Sequence, residues 1–419
     1  MTRSVARALV DQLVVHGVDT AFCVPGESYI AVLDALRDAP IRLISTRHEA
    51  AAANMAEAYG KLTGRPGICL VTRGPGATHA SVGLHTAFQD STPLILLVGQ
   101  VPRPMLGREA FQELDYTRAF DGLVKWAAQP GRGERIPELV ARAFSLATAG
   151  RPGPVVLALS EDLLVEEVDV ADAERYRLAT PAPAERDLQQ LRELLGGCER
   201  PLAIVGEGGW SAGAARDMLA FCEANELPVA TSFRCQDYVD NRSRVYAGHL
   251  TIGKDRNLAR RVREADLILA VGGRLGEIVT SGYTLLDVPR PRQTLVHVHP
   301  SPDELGLVYE TDLPIVSALP QFATAASRLD PVASPSWREW TAAAHEEYLD
   351  NLEHRPLPGD VDMGEVMATL RERLPEDAIL ACGAGNFTVW AHRFYEFSRY
   401  GTQLAPRSGA MGYGLPAAL

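Results

Sequence analysis

Uninterrupted runs of apolar residues, each closed by a turn and followed by a helical pattern, recur along this chain. One series lies at residues 20–24, 41–45, 68–72, 94–98 and 154–159, and a second at 201–206, 228–232, 267–271 and 294–298. A strand with one wet face alternates apolar and polar side chains. Strands apolar at nearly every position are covered on both faces, as in a parallel sheet between two layers of helices. Parallel strands also need long crossover connections, which the intervening helical stretches supply. The pattern predicts an α/β fold of doubly wound parallel sheets.

At 419 residues the chain holds two or three such domains. The first is expected over 1–165, beginning with a helix marked by Val5, Leu9 and Leu13 and closed by Gly17. Residues 166–187, acidic and then rich in Pro and Ala, read as a linker to a central domain over 188–330. A bridging segment over 331–358 carries Trp337, Trp340 and Tyr348 and leads to a third unit over 359–419. Roughly 60 residues fall short of the ~100–150 of a doubly wound domain, so this third unit is expected to be incomplete.

Composition excludes several partner classes. The net charge of -12 comes without a basic patch, which argues against nucleic acid and anionic membranes. No apolar run reaches the length of a membrane span, and the first residues lead into an amphipathic helix rather than a signal peptide. The six cysteines form no C-x-x-C pair, which fits reduced thiols in a cytoplasmic protein.

Chemistry concentrates at the turns. Thr46-Arg47-His48-Glu49 opens a run of helix formers, with Thr46 and Glu49 at capping-box spacing and Gly60 where a left-handed residue would end the helix. Four alanines at 50–53 offer a surface for very close packing, and Glu49 beside them is expected to be largely out of water. Pro25-Gly26-Glu27-Ser28 and Arg73-Gly74-Pro75-Gly76-Ala77-Thr78-His79 follow strands, at the edge where open α/β sheets take ligands; plain tight βα connections read equally well. Cys382-Gly383-Ala384-Gly385-Asn386-Phe387 is a similar junction, where helix N–H groups can hold a phosphate. Gly409-Ala410-Met411-Gly412 sets one large flexible side chain among glycines, either to fill a core or in cleared space. Gly206, Gly208 and Gly209 do not complete a G-x-G-x-x-G fingerprint, because position 211 is Ser.

In this order and separation, RHEAAAANMAEAYGKLTG, LVTRGPGATH, LLVGQVP, AFQELD, GRPGPVVLAL, IVGEGG, ADLILAVGGR, GNFTVW and SGAMGYGLPAA resemble the thiamin-diphosphate enzymes of the acetolactate synthase type. The resemblance covers nearly the whole chain. It implies a pyrimidine-binding, a central and a diphosphate-binding domain, with the cofactor shared between subunits of a homodimer or dimer of dimers. Glu49 matches the family's catalytic glutamate, which bonds the cofactor's pyrimidine ring nitrogen and promotes loss of the thiazolium C2 proton. Pro25, Gly26, Pro75 and His79 fall at cofactor positions, as do Gly409 and the apolar wedge Met411. Gly385, Asn386 and Phe387 match the diphosphate stretch. Gly26, Ser28, Phe111 and Gln112 fall where relatives line the substrate pocket. The expected reaction is decarboxylation and carboligation of a small 2-keto acid, from pyruvate to acetolactate or a related acyloin. Another 2-keto acid decarboxylase or oxidase, or a non-catalytic scaffold relative, is the alternative.

The sequence also departs from the family pattern. No Gly-Asp-Gly metal turn occurs in the third unit, so the resemblance places the Mg²⁺ ligands beyond Leu419. Arg151 and Arg274 match FAD contacts, whereas 249–253 and 273–277 differ from the family's flavin segments. His79 stands where Asn is usual.

Overall fold

The computed structural model describes residues 2–419. The chain divides into two compact units, Met1–Ala179 with Ser408–Leu419, and Thr180–Arg407.

In the first unit, β1 (Thr20–Cys23), β2 (Arg42–Ser45), β3 (Gly67–Val71), β4 (Leu94–Gln100), β5 (Trp126–Ala128) and β6 (Pro154–Ser160) form one sheet in the order β2-β1-β3-β4-β6-β5, parallel throughout. Every residue of β3, β4 and β6 is buried. Side chains alternate between two cores. Ile95 and Leu97 face α1 (Val5–Val15), α2 (Ile30–Arg37) and α5 (Ile136–Thr148), while Leu94, Leu96 and Val98 face α3 (Glu49–Thr63) and α4 (Pro75–Asp90). Full burial of each such side chain contributes about 1.5–3 kcal/mol, which is why both faces of these strands read as apolar. Strand β2 at the sheet edge is partly exposed instead.

Helix α3 differs from its expected form at both ends. His48, not Thr46, is the N-cap, and its Nδ1 accepts the Ala50 N–H at 3.1 Å. Glu49 is thereby the first helical residue, and no capping box forms. The helix runs through Gly60 to Thr63 and ends on Gly64 at φ 67°. Gly60 serves close packing: a Cβ there would lie 2.5 Å from the Pro93 carbonyl. The alanine face meets the protein itself. Cβ atoms on Gly83 of α4 and Gly67 of β3 would lie 2.4 Å from Ala53 Cβ and 1.9 Å from the Ala56 carbonyl.

In the second unit, β7 (Pro201–Val205), β8 (Val229–Thr231), β9 (Tyr246–His249), β10 (Leu267–Val271), β11 (Thr294–His299) and β12 (Leu313–Val316) form a parallel sheet in the order β9-β8-β7-β10-β11-β12. Helices α6 (Glu185–Gly196), α7 (Ala212–Ala224) and α9 (Leu319–Ala326) pack on one face, α8 (Arg256–Glu264) on the other. Helix α10 (Arg338–Leu352) lies against this unit: the Trp340 indole donates to the Pro201 carbonyl at 3.0 Å, and Ala344 and Tyr348 enter its cores. Helices α11 (Met363–Arg373) and α12 (Thr388–Phe394) accompany the short parallel pair β13 (Leu380–Ala381) and β14 (Gln403–Leu404).

Candidate active site

The carboxyl ends of β1 and β3 build the ligand edge of the first unit. Gly26 and Gly76 both lie against Thr72, where added Cβ atoms would approach its side chain to 2.6 and 2.8 Å. Ser28 is fully buried beneath this edge, its hydroxyl 2.8 Å from Thr72 Oγ1 and accepting the Arg73 N–H at 3.3 Å. Gly74 adopts φ 55° as N-cap of α4 and donates its N–H to the Tyr116 hydroxyl at 2.8 Å. A Cβ on Gly74 would lie 2.8 Å from the Gln112 carbonyl, so the loop carrying Phe111 and Gln112 sits directly on this turn. That loop is tied by Glu113, whose carboxylate accepts the Gly107 and Ala110 N–H groups at 2.6 and 2.9 Å. These backbone donors hold the Glu113 carboxyl below its ordinary range. Phe111 is left 76% exposed.

Glu49 lies in the angle between these turns and is only 9% exposed. His79 Nδ1 is 3.0 Å from its Oε2, and among the described residues no other side chain bonds the carboxylate. Oε1 points toward Gly76, 3.4 Å from where a Cβ would stand. The His79 ring stacks on His48 at 4.8 Å between centroids and 27° between planes. Ligand atoms of His48, Glu49 and His79 all lie within 4.8 Å of one another, a donor set that also suits a transition-metal ion. The sequence brought Glu49, Gly26, Pro75 and His79 to one edge; His48 as cap and stacking partner was missed. Its one local signal was its place directly before Glu49.

Ser408–Leu419 packs against the far part of α3. Tyr413, just before α13 (Gly414–Ala418), is fully buried and donates to Glu57 Oε2 at 2.5 Å. Thr92 Oγ1 donates to Glu57 Oε1 at 2.7 Å, and Lys61 Nζ lies 3.2 Å from that carboxylate and pairs with Asp90. Burial and the neighbouring Asp90 push the Glu57 carboxyl up, against the pull of Lys61. Burial alone would lower the Lys61 ammonium, but Asp90 and Glu57 outweigh it and hold it above its ordinary value. Gly409 and Gly412 take φ 67° and 83°, and Met411 between them is 85% exposed.

In the second unit Gly385 has φ 126°, its carbonyl accepts the Thr388 hydroxyl at 2.8 Å, and Phe387 is exposed. The expected flavin arginines are both engaged. Arg151 donates to Ser91 Oγ and the Phe88 carbonyl at 3.0 and 2.6 Å. Arg274 donates to Glu207 through its backbone N–H and Nε, at 3.1 and 2.6 Å, and Arg407 approaches the same carboxylate at 3.2 Å. Burial opposes ionisation of Glu207, but the two guanidiniums prevail and bring its pKa down to about 2. A fixed negative charge thus occupies the turn after β7, where a dinucleotide's diphosphate sits in such sheets, and the charge of Arg274 is spent on it. These residues do not fit a flavin diphosphate.

Comparison with known proteins agrees with this geometry. Residues 3–119 match the N-terminal TPP binding domain of thiamine pyrophosphate enzymes, and residues 188–326 match their central domain. An acetolactate synthase large subunit of Parasynechococcus marenigrum is 32% identical over 435 residues, covering 100% of this chain and 69% of that protein. A probable acetolactate synthase large subunit of Methanocaldococcus jannaschii is 30% identical, covering 99% of this chain and 72% of that protein. The isozyme 2 large subunit of Escherichia coli is 29% identical, with 99% and 74% covered. With two parallel α/β sheets, a buried glutamate at the ligand edge and this whole-chain similarity, the protein belongs to the thiamin-diphosphate enzymes related to acetolactate synthase large subunits.

Proposed function

We propose that this protein decarboxylates a small 2-keto acid and joins the acyl unit to a second carbonyl compound, in the manner of pyruvate going to acetolactate or a related acyloin. The observation that carries this reading is Glu49: a carboxylate nearly removed from water, with one oxygen bonded to His79 and the other turned to a glycine-lined edge. Thiamin diphosphate, when bound, supplies a nucleophilic thiazolium carbon and an electron sink for loss of carbon dioxide. Glu49 would hold the pyrimidine ring nitrogen and exchange a proton with it, and its burial would strengthen that bond. Pro25, Gly26, Pro75 and His79 border the same ring. Gly26 and Gly76, with no side chain, let both turns close on Thr72 beside Glu49, and Phe111 and Gln112 lie toward the substrate side. Gly409 and Met411 would hold the cofactor from a second subunit, and Gly385, Asn386 and Phe387 would hold its diphosphate.

The exposed Met411, Phe111 and Leu415 support an assembly of at least two chains, in which such side chains find cover. Mg²⁺ accompanies the diphosphate, with no ligand assigned in this chain. No helix of the described residues is long and apolar enough to cross a membrane.

Calorimetric titration of the full-length protein with thiamin diphosphate and Mg²⁺ tests the proposal. Saturable binding, weakened at least ~10-fold by Glu49→Gln, is expected from loss of a hydrogen bond to a charged group. No binding by the unaltered protein contradicts it.

A further inference from the structure

We infer that His79 is a positioning residue that divides the labour of the Glu49 oxygens: its Nδ1–H donates to Oε2, leaving Oε1 to exchange the proton with the cofactor. The inference rests on the functional reading above and goes beyond it, since it states which oxygen acts and what holds it.

A carboxyl group with both oxygens free presents either one to a ligand and rotates between them. Here Oε2 is taken by His79 at 3.0 Å, while Oε1 lies toward Gly76 with no bonding partner among the described residues. The His79 ring, half exposed, stacks one face on His48. His48 in turn is fixed by the Ala50 N–H, which donates to its Nδ1 at 3.1 Å. This bond requires a lone pair on His48 Nδ1 and so puts the proton of the neutral ring on Nε2. His79 requires the opposite, a proton on Nδ1, to donate to the carboxylate. Two stacked imidazoles therefore carry opposite assignments, one fixed by a helix terminus and the other by a carboxylate.

The reverse arrangement has Glu49 protonated on Oε2 and donating to a bare His79 Nδ1. The proton then lies on the oxygen turned away from the ligand edge, and Oε1 has none to give. The state of His79 Nδ1 thus decides the assignment.

Long-range ¹H–¹⁵N correlation spectra of the ¹⁵N-labelled full-length protein, without cofactor, read these states directly. EDTA is added so that no metal ion takes the same lone pairs, and His48→Asn and His79→Asn assign the signals. The expected result is His48 protonated on Nε2 with a bare Nδ1, and His79 protonated on Nδ1. A His79 ring bare at Nδ1 overturns the proposal.

A second arm measures hydrogen–deuterium exchange at C2 of bound thiamin diphosphate. His79→Ala is expected to slow exchange in the cofactor-saturated protein roughly 10–100-fold, the scale of a misplaced proton-transfer group, over and above any change in calorimetric affinity. His79→Asn, whose amide also donates an N–H, is expected to recover most of that loss. Unchanged exchange in His79→Ala, with Glu49→Gln still inactive, overturns the positioning role alone. Undiminished exchange in Glu49→Gln overturns the functional reading and this inference with it.

Discussion

Two glutamates on helix α3, eight residues apart, are both withdrawn from water and differ in what their oxygens meet. Glu57 is saturated: Thr92 and Lys61 attend one side of its carboxylate and Tyr413 donates to the other. Among the described residues Glu49 has a single side-chain bond, between Oε2 and His79, and none on Oε1. Burying a carboxylate costs several kcal/mol unless partners offset it, and at Glu57 they are all supplied from within the fold. At Glu49 one partner is withheld at the edge proposed above to take the cofactor. Burial alone therefore does not mark a functional acid. The unfilled hydrogen-bonding capacity of a buried one does.

The contrast can be broken by substitution. Glu57→Ala removes the buried carboxylate that Lys61, Thr92 and Tyr413 bond, and should cost about 3–5 kcal/mol in urea unfolding. A third buried carboxylate, Glu207, extends the saturated class. Its pKa of about 2 lies below the ordinary 4.5, so its contribution is present above pH 4.5 and is lost as pH falls through 2. That contribution is about 3 kcal/mol, and Glu207→Gln should abolish this part of the acid dependence in a pH series of unfolding midpoints. Tyr413→Phe removes one bond to a buried charge and should cost about 1.5–3 kcal/mol by the same assay. Gly83→Ala drives a methyl into Ala53 and should cost about 1–3 kcal/mol, shifting the frame of the site without touching it. Glu49→Gln should change stability by less than about 1 kcal/mol, since no internal partner beyond His79 is lost. A destabilisation by Glu49→Gln equal to that of Glu57→Ala would erase the distinction.

The central strands of the first sheet were the most legible. Strands β3, β4 and β6 are covered on both faces and read as continuous apolar runs. The edge strands β9 and β12 gave no such run, because β12 has two exposed positions and β9 carries Gly248 and His249 among its residues. Helix α3 was recognised but misframed, because an imidazole did the work of a capping hydroxyl and Gly60 answered to the Pro93 carbonyl rather than to a turn. Glu49 was legible from its motif. Its bond to His79, thirty residues on, and that of Glu57 to Tyr413, 356 residues on, join positions with no shared local pattern. The i,i+4 spacing of Glu57 and Lys61 was the one sequence sign of that network.

The rate of hydrogen–deuterium exchange at C2 of thiamin diphosphate bound to the full-length protein tests the role of Glu49 most directly. Glu49→Gln should slow it by at least ~100-fold while the variant remains folded, as expected for removal of a positioned acid–base group. Exchange as fast in Glu49→Gln as in the unaltered protein would contradict the assignment.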